Sequence, residues 1–239
     1  ATWLLEWAKD DRRKITLRHL LQMHSGLRPE GEYEDPFSDA CYLALGTDVE
    51  YILRHIPLVA EPGTRFDYNN ANYQALGLVL ERATGRRFAE YLSEKLWRPR
   101  GNRDAAVWLD RPGKHARAFR YLFPTPRDWA RVGLLVLNEG RFGDQQLIPA
   151  EWIRFMCRRS PDEKAYGAGL YVGPDDPGDP PFTAETLVFN GRHKQRVYVV
   201  PSHKLVIVRV GAQQKVKHWN DSLLPNVLVS GTQPSASLN

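Results

Sequence analysis

Cysteine and methionine are the scarcest residues of this 239-residue chain, with two of each. The cysteines, Cys41 and Cys157, are far apart and fit no metal-ligand spacing; one disulfide is open to them, but two free buried thiols are the favoured reading. The histidines, at 19, 24, 55, 115, 193, 203 and 218, make no pair at helical spacing with a glutamate between and lie near no Cys cluster. That argues against a metal centre. No Gly-rich loop of the phosphate-cradling kinds occurs, so the sequence calls for no cofactor. No apolar run approaches the ~20 residues needed to cross a bilayer, so no membrane segment is expected in this chain. Repeats and low-complexity segments are absent. A polar linker is absent too, which favours one domain over residues 1–230 with a polar tail at 231–239. There is no initiator Met and no signal peptide; the chain starts in mid-fold at Ala1-Thr2-Trp3.

What is present suits a folded core: 42% hydrophobic and 11% aromatic residues. Lys and Arg exceed Asp and Glu by 33 − 28 = 5. The cations are scattered, as in Arg12-Arg13-Lys14, Arg86-Arg87 and Arg158-Arg159, with no concentrated basic face. They read as solvated surface, and nucleic acid is not an expected partner.

Thr16 is a good N-cap for a helix over Leu17–Met23, ended by Gly26. Arg28–Asp39 is a long polar loop of the kind that lines sites. Asp48 caps a helix running to about His55. A central helix ends near Thr84-Gly85, and another covers Phe88–Leu96. Thr125 and Pro126 open a strong helix that Gly140 closes. Pro149 opens one from Ala150 to about Cys157. The period then turns strand-like: Tyr166–Val172, Thr186–Asn190, Arg196–Val200 and Leu205–Val210 read as strands, with a turn at Pro201–Lys204. Trp219 leads into a last helix over about Asp221–Val229. Helices in the middle and an antiparallel sheet at the end make an α+β fold.

The stretch Pro62–Leu96 organises the chain. It passes through Phe66-Asp67-Tyr68 into a helix carrying Ala75, Leu76, Leu78, Val79 and Leu80 at helical spacing. Polar groups at a buried helix N-terminus are well placed for chemistry. The plainer reading is that Asn70 or Asn72 caps the helix. A phenol such as Tyr68 acts as a base only if cations pull its pKa well below ~10. Ser25 follows a histidine, but no glycine stands two before it, so it is read as a helix-end turn and not a nucleophile elbow. The carboxylates of Glu30, Glu32 and Glu34, and of Asp175 and Asp176, read as solvated loops.

Four blocks in order resemble a known family: ITLRHLLQMHSGL (Ile15–Leu27), PGTRFDYNNANYQALGLVLERATG (Pro62–Gly85), TPRDWARVGLLVLNEG (Thr125–Gly140) and NGRHKQRVYVVPSHKLVIVRVG (Asn190–Gly211). Together they are similar to the serine β-lactamase and penicillin-binding-protein-like hydrolases of the class C type, in the subgroup with 6-aminohexanoate-dimer hydrolases and esterases. The resemblance implies a bacterial serine hydrolase, periplasmic or otherwise extracytoplasmic. Its substrate would be a small-molecule ester, amide or lactam, cleaved through an acyl-enzyme. It implies that Tyr68 shuttles the proton and that Asn70 positions a lysine and the substrate. It implies a strand-edge motif at Gly191-Arg192-His193-Lys194-Gln195, with a backbone N–H, that of Arg192, in the oxyanion hole. Tyr33 matches a loop tyrosine that covers the acyl pocket. Oligomeric state has no signal in the sequence.

Two departures shape the expectation. No Ser-x-x-Lys occurs anywhere in the chain, and only about fourteen residues precede the first matching block. The sequence therefore reads as an N-terminally truncated hydrolase lacking its first strands and nucleophile, and catalytically silent by itself. Lys194 stands where the family prefers glycine. It is expected to crowd the strand edge or to add positive charge near the site, which leaves open a carboxylate-bearing substrate or a decayed site. It also motivates an alternative: a non-catalytic relative that binds a peptide or cell-wall fragment.

Overall fold

The computed structural model describes residues 3–160, 162, 165–174, 179–211 and 220–232. Its contacts divide the chain into two compact units, Ala1–Pro99 with Asp104–Phe123, and Arg100–Arg103 with Pro124–Asn239.

In the first unit, α1 (Leu17–Leu21) starts at the expected cap: the Thr16 hydroxyl accepts from the His19 N–H at 3.1 Å. It ends sooner than expected. Met23, at φ 61°, turns the chain, and Gly26 is reserved for something else. At φ +73° it lies so close to the neighbouring segment that a Cβ would stand 2.2 Å from the Ala60 carbonyl oxygen. Leu20 is buried, while Leu17 is half exposed. Helix α2 (Asp39–Leu45), capped by Ser38, follows the polar loop and was not foreseen. Helix α3 (Val49–His55) is capped by Asp48 as expected. Helix α4 (Asn70–Thr84) ends at Gly85 in the left-handed conformation that glycine adopts without penalty. Helix α5 (Phe88–Leu92) passes into a wider turn over Ser93–Trp97. Strands β1 (Ala106–Val107) and β2 (Leu122–Phe123) pair antiparallel. The core packs Trp7, Leu20, Leu27, Leu43, Leu53 and Ala75 together, and the Trp7 indole N–H donates to the Leu53 carbonyl at 2.6 Å.

The second unit opens with α6 (Pro126–Leu137), capped by Thr125, then a small hairpin of β3 (Arg141–Phe142) and β4 (Gln145–Gln146), and α7 (Ala150–Met156). Tyr166–Val172 is not a strand: Gly169, at φ +87°, folds the segment back so that Tyr166 bridges Tyr171. Strands β5 (Leu187–Gly191), β6 (Gln195–Val200) and β7 (Leu205–Arg209) form an antiparallel sheet in that order. Gly133 lets α6 lie directly on it, since a Cβ there would meet Val206 Cγ1 at 2.5 Å. Helix α8 (Leu223–Ser230) supplies Leu224 to the apolar cluster around Val188, Tyr198 and Ile207. The α+β arrangement is as expected. Trp219, the pair Asp175-Asp176 and most of the polar tail lie outside the described residues.

Among the described residues no helix is long and apolar enough to cross a membrane, and no group of three or more His, Cys, Asp or Glu could hold a metal ion. Cys41 and Cys157 are free but half-buried, not buried.

Candidate active site

The N-terminus of α4 is built by three consecutive residues with separate tasks. Asp67 donates its backbone N–H to the Met23 carbonyl at 2.8 Å, fixing the chain just before Tyr68. Asn69 is the true cap; the sequence reading had offered Asn70 or Asn72. Its Oδ1 accepts from the Ala71 N–H at 2.8 Å while its Nδ2 donates to the Arg28 carbonyl at 2.8 Å. One side chain thus ends the helix and ties it to the loop after Leu27. Tyr68 is 38% exposed, its ring edge-on to Tyr73 with centroids 6.2 Å apart. Asn72 is fully buried, with its Nδ2 3.2 Å from the Met23 sulfur, so it belongs to the support and not to the cap.

Asn70 is the first residue of α4 and is almost wholly buried. Its backbone N–H donates to Glu30 Oε2 at 2.9 Å, and its Nδ2 donates to Glu30 Oε1 at 2.8 Å and to the Tyr33 hydroxyl at 2.7 Å. A carboxylate accepts only, so Glu30 fixes which end of the Asn70 amide is the nitrogen. Both Nδ2 protons are committed, and Oδ1 is the face left for other work. The reading of Glu30 as a solvated loop carboxylate is therefore wrong. Burial pushes its carboxyl above the ordinary range, and the two Asn70 bonds and the Arg120 charge offset that only in part. No signal in the sequence marks Glu30 beyond the length of its loop. The sequence did single out Tyr33 and Asn70, and they are in direct contact.

The other predicted residues lie in the second unit. Gly191 ends β5 and Gln195 begins β6, and the two are register partners. Arg192, His193 and Lys194 form the tight turn between them, so the motif is a hairpin loop and not a strand edge. His193 and Lys194 both have positive φ, 58° and 59°. Glycine takes that conformation freely, and any side chain takes it at a cost. The Gln195 amide pairs with the backbone of Gly211, accepting its N–H at 3.0 Å and donating to its carbonyl. Gln195 thus holds two chain segments together.

Lys194 does not add an open positive charge. Its ammonium donates to Asp221 Oδ2 at 2.8 Å. Asp221, 1% exposed, also receives Arg196 in a two-point bond at 2.9 and 2.8 Å and the Tyr198 hydroxyl at 3.2 Å. Sequence reasoning missed Asp221 because the partner comes from beyond β7.

Two other candidate nucleophiles among the described residues are poor. Burial pushes the Cys157 thiol up to about 11. Ser25 is buried, with its hydroxyl accepting from the Leu27 N–H at 3.4 Å.

The beta-lactamase family model matches residues 1–220. A Salmonella paratyphi B protein described as "Putative D-alanyl-D-alanine carboxypeptidase" is 22% identical over 235 residues, covering 78% of this chain and 54% of that protein. The chain thus spans about half the length of the curated relatives it matches. Among solved structures, "Putative 6-aminohexanoate-dimer hydrolase from Bacillus anthracis" superposes with a TM-score of 0.73 at 26% identity, over 87% of this chain and 58% of that one. A beta-lactamase from Mycobacterium bovis superposes at 0.65 with 18% identity, over 90% and 74%. The fold is therefore β-lactamase-like, with helices and small antiparallel sheets.

Proposed function

From the premise that this chain belongs to the beta-lactamase family, we propose that the protein is a serine hydrolase that cleaves an ester, amide or β-lactam through an acyl-enzyme. The observation that carries this reading is the α4 N-terminus, where Tyr68 stands beside an Asn70 whose amide is locked by Glu30 and Tyr33. In the proposed cycle a serine hydroxyl attacks the carbonyl carbon. Its proton passes to Tyr68 and then to the leaving oxygen or nitrogen as the scissile bond breaks. Water reverses the sequence and frees the acid. Asn70, with Nδ2 committed, offers Oδ1 to a cationic neighbour such as the lysine of a Ser-x-x-Lys pair. The turn N–H of Arg192 is assigned to the oxyanion, where one donor is worth ~10²–10³ in rate. Localisation outside the cytoplasm goes with the family reading.

The 239 residues hold no Ser-x-x-Lys, so the nucleophile is assigned to sequence outside them. Residues 1–239 alone should then leave 4-nitrophenyl acetate intact and take no fluorophosphonate label. The protein from the complete coding sequence should be labelled, and Tyr68→Phe should cut its kcat by ~10²–10⁴ at unchanged melting temperature. Labelling of residues 1–239 by themselves, or full activity in Tyr68→Phe, would sink the reading. The alternative is a non-catalytic binder of a peptide or cell-wall fragment; Lys194, which motivated it, pairs with Asp221.

A further inference from the structure

We infer that Arg120 reads a carboxylate on the substrate, setting a preference for anionic esters or amides. This rests on the hydrolase reading above. Arg120 lies in the segment before β2, and its guanidinium carbon sits 4.8 Å from the Tyr33 ring centroid and 4.5 Å from that of Tyr121. Stacking holds the plane of a guanidinium and leaves its N–H edge for a forked acceptor, the geometry a carboxylate fits. The Nη1 nitrogen is buried and has no hydrogen-bond partner. Among the described residues Arg120 makes no ion pair. A buried cationic donor without an acceptor is costly, and such groups call for an explanation.

The surroundings argue against an internal partner. Glu30 feels the Arg120 charge, but its hydrogen bonds go to Asn70 and it forms no ion pair with Arg120. Lys194, the cation that the sequence nominated for an anionic substrate, is spent on Asp221. Tyr33 links the cation to the site, because the ring that carries Arg120 puts its hydroxyl 2.7 Å from Asn70 Nδ2. On the far side Tyr121 stacks on Trp108, centroids 4.6 Å apart and planes 28° from parallel. Tyr121 holds φ 65°, a conformation that bulky L-residues avoid. Backbone strain of this kind gathers where a side chain must be held for function. A carboxylate carried on the acyl or leaving group would meet Arg120 one ring away from Asn70.

The test compares 4-nitrophenyl hydrogen succinate with 4-nitrophenyl butyrate, esters of similar acyl length that differ by the charge. In the protein from the complete coding sequence, the ratio of their kcat/KM values should favour the anionic ester by ~10-fold or more, the scale of one charge-assisted bond. Arg120→Gln should bring that ratio close to one, chiefly through KM, and Arg120→Lys should leave it between the two. A wild-type ratio near one, or one that Arg120→Gln does not move, overturns the inference. The second arm needs no turnover: glutarate and its uncharged diamide are titrated into residues 1–239 and followed by NMR. Tighter glutarate binding that Arg120→Gln abolishes supports the inference, and equal or absent binding of both overturns it. Failure to cleave either ester alongside selective glutarate binding would instead count against the hydrolase reading alone.

Discussion

At the scale of single residues, two carboxylates hold polar and charged side chains in place. Glu30 locks Asn70, and Asp221 takes up Lys194 and Arg196. The Asp221 network is buried. Asp221→Asn should cost ~3–5 kcal/mol, because Arg196 is itself only 2% exposed and would lose a two-point ionic partner. Lys194→Gly should behave differently. It gives up one contact to Asp221, which keeps Arg196, and it relieves a side chain held at φ 59°, a strain of ~1–2 kcal/mol. The two effects oppose, and the variant should stay within ~1 kcal/mol of wild type. Urea unfolding of both variants checks the contrast; equal losses would mean that Lys194 and not Arg196 is the partner that matters. Tyr68, Asn70 and Tyr33 could be nominated because the stretches that hold them resemble a known family. Glu30, Arg120 and Asp221 could not be, because their meaning lies in contacts with residues far away along the chain.

Between elements, one histidine joins three pieces of the first unit. His115, from the connection between β1 and β2, sets Nδ1 2.5 Å from Glu81 of α4 and Nε2 3.5 Å from Glu50 of α3. The Glu81 hydrogen bond raises its pKa above the ordinary value, against the opposing pull of burial. The folded state therefore holds the proton to higher pH than the unfolded chain does. The stabilisation is complete below about 6.5, the ordinary histidine value, and is lost as pH rises through the folded value. The difference in melting temperature between wild type and His115→Gln should thus be larger at pH 5.5 than at pH 9; a pH-independent difference would show that the ion pairs contribute nothing. The elements themselves were legible where end signals are local. Asp48, Thr125 with Pro126, and Gly85 mark helix ends with their own side chains or backbone freedom. Tyr166–Val172 deceived because its apolar residues alternate as in a strand while Gly167 and Gly169 serve a turn. Gly167 passes so close to the α7 end that a Cβ would stand 2.1 Å from the Met156 carbonyl oxygen.

For the molecule as a whole, the sheet of the second unit decides how the 239 residues behave in solution. Its order is β5-β6-β7, so β7 is a terminal strand, paired among the described residues with β6 alone. Its sequence, Leu205-Val206-Ile207-Val208-Arg209, is four β-prone apolar residues and a single charge. The natural defences of such an edge are charge, proline, a bulge or a cover. Arg209 is the charge, but its guanidinium is turned to the hairpin loop, donating to the Lys194 carbonyl at 2.6 Å. Little within β7 then discourages a second copy from pairing along it, and the net charge of +5 gives only modest long-range repulsion, screened within ~8 Å at physiological salt. Residues 1–239 expressed by themselves should therefore self-associate in a concentration-dependent way. Sedimentation velocity from micromolar to ~100-fold higher concentration would register this as a rising weight-average coefficient. Val208→Lys, which adds a second charge to the strand, should shift the distribution back towards monomer. A monodisperse monomer across that range, with one cooperative thermal transition, would overturn the expectation and mean that the β7 edge is protected.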